Sequence, residues 1–174
     1  MNLDREWLEK MAQIEDECES ISVGGLASDV GLLDEVMTVD DAVMGNNEVY
    51  LALLGHQEGE WWYGVGSWPN EGHPARVDFD PYQVERREDQ FRDVIGFFHT
   101  HPSMNSRPSA IDYNTMFGWT VSFGKPMACL IEGIDGLSGH WFLDDEHYHT
   151  TTEVYRFGNI FVGRFPSEDE FVKR

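Results

Sequence analysis

Three short apolar runs, at residues 48–54, 94–99 and 126–131, constrain this chain more than any other feature. Each is too short for a buried helix and is closed by Gly or Pro, so each reads as a buried strand. The first ends at Gly55, and an aromatic run at 60–68 pairs with it as a hairpin across residues 56–59. The second is halted by Pro102. Further strand patterns stand at 75–79, 138–143 and 155–165.

Helical spacing alternates with these runs. Leu3, Trp7, Met11 and Ile14 form one stripe over residues 2–19, and Val30, Leu33, Val36 and Met37 form another. Pro81 sits at the expected first turn of a helix over 81–92, and residues 109 or 112 to 123 read as a fourth. There are too few helices between strands for a parallel barrel. The order predicts an α/β or α+β fold, with a central mixed sheet flanked by helices.

At 174 residues the chain has room for one domain. The expected division is an N-terminal helix and linker at 1–27, a domain at 28–166 and an acidic tail at 167–174. Its formal net charge of −20 repels phosphate, which argues against nucleic acid or an anionic membrane as partner. No apolar run reaches the ~20 residues of a membrane span, and the first residues lack a basic region followed by an apolar core. The expectation is a soluble, unexported, cytoplasmic protein. Cys18 and Cys129 do not suggest a disulfide framework or a thiolate metal site, and Cys129 reads as a small core residue.

The segment from His99 to Asp112 holds the chemistry. His99 and His101 are two apart at the end of a strand, so both imidazoles point to one side, as sharing a metal requires. Pro102 ends the ladder, a polar loop turns the chain, and Asp112 near a helix start can return a carboxylate to the same point. Two neutral nitrogens and one oxygen make three protein ligands, and catalytic zinc sites keep a fourth position open. His147-Tyr148-His149 has the same spacing but follows Asp144-Asp145-Glu146, and reads as a solvated loop. His56, His73 and His140 stand alone and read as surface or structural residues.

The pattern His-x-His-Pro, six residues, Ser, two residues, Asp, at His99, His101, Pro102, Ser109 and Asp112, resembles the JAMM (MPN+) metallopeptidase family. The upstream form Glu-x-x-Gly-x-Leu-x-Gly is met by residues 48–55, except that Leu51 replaces the first glycine. The resemblance covers roughly residues 30–165. It implies one zinc per chain, held by His99, His101 and Asp112, which would lower the pKa of a bound water from 15.7 to about 7. It implies that Glu48 shuttles that water's proton to the leaving amine, and that Ser109 donates a hydrogen bond to the oxyanion. Ser109 equally reads as a helix cap.

The resemblance therefore implies a zinc-dependent isopeptidase or peptidase acting on a ubiquitin-like protein or peptide substrate. A non-catalytic scaffold of the same fold and a RadC-like protein are the alternatives. Complete ligands count against the first, and the acidic balance and His-Thr-His-Pro-Ser-Met form count against the second.

Overall fold

The computed structural model describes residues 48–71 and 80–174. The helices read at 2–19 and 30–37, the strand at 75–79, Cys18 and His73 lie outside the described residues. The main compact unit, residues 37–174, is described by itself.

Among the described residues nine strands form one mixed sheet, in the order β7-β8-β2-β1-β3-β4-β5-β6-β9. They are β1 (Val49–Glu58), β2 (Trp61–Glu71), β3 (Val94–Thr100), β4 (Met127–Gly133), β5 (Gly136–Phe142), β6 (His147–Thr151), β7 (Val154–Phe157), β8 (Ile160–Arg164) and β9 (Val172–Lys173). Two helices, α1 (Pro81–Phe91) and α2 (Ala110–Phe123), precede β3 and β4. Only β3 and β4 pair in parallel, because α2 crosses between them; the other ladders are antiparallel. No described helix is long and apolar enough to cross a membrane.

Local chemistry sets the helix ends. Asp80 caps α1 by accepting from the Tyr82 amide, with Pro81 at the first turn. Arg92 closes it in the left-handed region, at φ 59°. Gly124 closes α2 the same way without a side-chain penalty.

The sheet buries apolar side chains on both faces. On one, Ala52, Phe97 and Met127 pack beneath Val84 of α1 and Met116 and Phe117 of α2. On the other, Leu51, Phe98, Leu130, Trp141 and Phe161 form a second core. There β7 reaches across to β5: a Cβ at Gly139 would lie 2.6 Å from Val154 Cγ1, so only glycine lets them close. Leu51, where the family motif has glycine, is accommodated across the ladder, since a Cβ at Gly66 would lie 2.8 Å from its Cδ1.

Two readings are corrected. Residues 155–165 are two strands, not one, because Gly158 adopts φ 59° and turns the chain between β7 and β8. The segment His147-Tyr148-His149 is not a solvated loop but the start of β6, paired to β5 and β9. Its polar side chains suit a strand near the sheet edge, where pairing with β5 outweighs low apolar content. The acidic residues 167–174 include a short 3-10 helix (Glu168–Glu170), and β9 extends the sheet.

Candidate metal centre

Register brings the residues to one end of the helix-covered face. Tyr50 pairs with His99 in the antiparallel β1–β3 ladder, and two further residues along that register set Glu48 against His101. The Val49 amide donates to Thr100 Oγ1 at 2.9 Å, holding the two strand ends together there. Glu48, Tyr50, His99 and His101 then share a face, because side chains alternate along strands. His99 and His101 are buried.

After Pro102 the chain turns and returns at α2, whose N-cap is Ser109. The Asp112 amide donates to Ser109 Oγ at 3.2 Å and the Ser109 amide donates to Asp112 Oδ2 at 2.6 Å, a reciprocal capping box. That box aims the Asp112 carboxylate at the histidines. His99 Nε2 lies 3.4 Å from Asp112 Oδ1, His101 Nε2 lies 3.7 Å from Asp112 Oδ2, and the two Nε2 atoms are 3.1 Å apart.

These separations fit one small metal ion. Tetrahedral zinc with bonds of about 2.0–2.1 Å places its ligand atoms about 3.3–3.4 Å apart, in the middle of the observed range. His99, His101 and Asp112 form the only such group of three among the described residues. The sequence prediction of these three as neighbours is met.

Ring orientation is set by what lies behind each histidine. His101 Nδ1 donates to the Asn105 carbonyl at 2.9 Å, which leaves its Nε2 lone pair facing His99 and Asp112. His99 Nδ1 faces the buried Cys129 thiol, with Sγ at 3.9 Å. Cys129 is the small core residue expected, and it also sits against the site.

Electrostatics separate the acids by role. Burial raises the Asp112 pKa, but the His101 and His99 imidazoles beside it and the hydrogen bond it shares with Ser109 outweigh that and hold the carboxyl well below the usual range, so Asp112 stays ionised. Glu48 goes the other way: burial raises its pKa, the two histidines pull it back in part, and Asp112 pushes it up again. A carboxylate poised upward beside a site of ligands is suited to accepting a proton. For His101 burial pulls downward, but Asp112, the Asn105 carbonyl and Glu48 together leave the pKa raised.

The other described histidines lie apart from this group. His147 Nδ1 pairs with Asp144 at 2.8 Å and His149 Nδ1 donates to the Glu170 carbonyl at 2.9 Å. His56 is exposed and stacks on Tyr63. His140 is fully buried on β5, which bears out a structural reading but not a surface one.

A family model described as prokaryotic homologs of the JAB domain matches residues 12–143. The match spans Glu48, His99, His101, Ser109 and Asp112, and it ends before β6. No curated protein matches the chain.

Proposed function

Because the chain belongs to the prokaryotic homologs of the JAB domain, we propose that it is a zinc-dependent peptidase or isopeptidase that cuts an amide bond at the C-terminus of a ubiquitin-like protein, in a conjugate or a precursor. The convergence of His99 Nε2, His101 Nε2 and Asp112 at 3.1–3.7 Å carries this reading. A zinc ion held by these three groups would acidify a water molecule and polarise the substrate carbonyl.

The chain's own residues supply the remaining chemistry. Glu48 takes a proton as water adds to the amide carbon and passes it to the nitrogen of the leaving amine as the C–N bond breaks. Its upward-shifted pKa suits both halves of that transfer. Ser109 Oγ accepts from the Asp112 amide, which leaves its own proton free to donate to the carbonyl oxygen as charge develops there. Capping and catalysis are therefore compatible at this residue.

Glu48→Gln is the discriminating variant. Cleavage of a ubiquitin-like fusion should fall by about 10²–10⁴-fold while zinc content stays unchanged, since general acid–base catalysis is worth that much and Glu48 is not a ligand. A variant with full activity places the proton shuttle elsewhere. Loss of zinc would make Glu48 a ligand, and a wild type that binds zinc but cleaves nothing favours a non-catalytic scaffold.

A further inference from the structure

His140 lies on β5, two strands from His101, and is 1% exposed. Its Nε2 is 2.8 Å from the Ser106 carbonyl, an atom that can only accept, so Nε2 bears the proton. Nδ1 then accepts from Thr150 Oγ1 at 2.9 Å. Both ring nitrogens are satisfied in one neutral tautomer. Burial holds the His140 pKa down at about 4, so this tautomer persists across the neutral range.

Ser106 follows Asn105, whose carbonyl orients the His101 ring. The loop they share is seated on the β4–β5 turn. The Ser106 amide donates to Asp135 Oδ1 at 2.7 Å, and the Ile134 amide donates to the Met104 carbonyl at 2.9 Å. A Cβ at Gly133 would lie 2.4 Å from Asn105 C and Ser106 N, so backbone rests on backbone there. From β5 two side chains reach Ser106: the Ser138 and Ser106 hydroxyls are 2.8 Å apart, and His140 donates to the Ser106 carbonyl.

Resting on the metal-site reading above, we propose that His140 is a positioning residue for His101: by fixing the Ser106 carbonyl it holds the adjacent Asn105 carbonyl in place and so sets the tautomer and direction of the ligand ring. Partners behind a metal-bound histidine are typically worth about 10- to 100-fold in metal affinity. The hydrogen bonds of His140 go to Ser106 and Thr150 and to none of the three ligands, so its positioning effect passes through the loop.

The test compares the full-length wild type with His140→Leu, His140→Gln and His140→Asn. Zinc affinity is read by chelator competition, Co²⁺ coordination by visible absorption, and folding by thermal unfolding. Glutamine can still donate to the Ser106 carbonyl, whereas leucine cannot donate and asparagine is too short. His140→Leu should weaken zinc by about 10- to 100-fold and broaden the Co²⁺ bands, and His140→Gln should restore affinity to within about threefold of wild type. Should the leucine variant fail to fold, His140→Asn takes its place with the same expected loss. Unchanged affinity in a folded leucine or asparagine variant overturns the proposal. So does an equal loss in all three, which would make the histidine's packing, not its hydrogen bond, the cause. A wild type that binds no zinc removes the metal site and this inference together.

Discussion

Ser109 and Asp112 cap α2 with one another, each residue's amide donating to the other's side chain, at 3.2 Å and 2.6 Å. The same carboxylate meets His99 and His101. A device that starts a helix thus also aims a candidate ligand, and substitutions at residue 109 can separate the two functions.

Ser109→Ala should lower stability by about 1 kcal/mol through loss of the cap, whereas Ser109→Gly should cost only a few tenths. Both remove the hydroxyl. If that hydroxyl donates to the developing oxyanion, both variants lose about 10²–10³-fold in kcat whatever their stability. Denaturant unfolding paired with turnover measures this, and an active glycine variant would leave Ser109 as a cap alone.

Asp112→Ala should abolish tight metal binding, since two histidines make an incomplete shell. His147→Ala and His149→Ala should leave zinc content at one per chain, because their ring nitrogens are engaged with Asp144 and the Glu170 carbonyl on a strand away from the site. Elemental analysis of the three purified variants decides the matter. Zinc lost from the His147 variant would mean the ion sits elsewhere.

On the proposed metal site, protons and metal compete at His101. Its raised pKa in the metal-free chain means that a proton is held more tightly than on a free imidazole of pKa ~6.5. Zinc affinity, and activity with it, should therefore start to fall at a higher pH than an unperturbed imidazole would give, and keep falling as the pH is lowered further. Titrations at fixed ionic strength would show the slope. An affinity that is flat from pH 7.5 to 5 contradicts histidine ligation.

His140 predicts a separate acid limb in stability. Its folded pKa of about 4 lies below the unfolded value of ~6.5, so the unfolded chain binds the extra proton between those values. Stability is full above about pH 6.5 and is lost progressively down to about pH 4, by roughly 3 kcal/mol in all. Metal-free protein should show this loss in urea midpoints, and His140→Gln should flatten it. A variant with the same acid limb would assign the loss to other groups.

Much of the site was legible along the chain because its devices are local. A spacing of two on a strand puts His99 and His101 on one face whatever surrounds them, and a serine three residues before an acid at a helix start reads as a cap that returns Asp112 to that face. The strand at 94–99, the helix at 81–92 and the one ending at Phe123 follow from the same short-range rules. What only the tertiary structure decided depends on pairing between distant segments. Residues 147–151 become a strand because β5 lies beside them, and Leu51 fits where the motif has glycine because Gly66 on the next strand leaves room for it. His140 looked solitary because its partners, Ser106 and Thr150, are 34 and 10 residues away. A hydrogen bond closed across a sheet leaves no periodic trace in the sequence, so the residue behind the loop after His101 appears only once the strands are side by side.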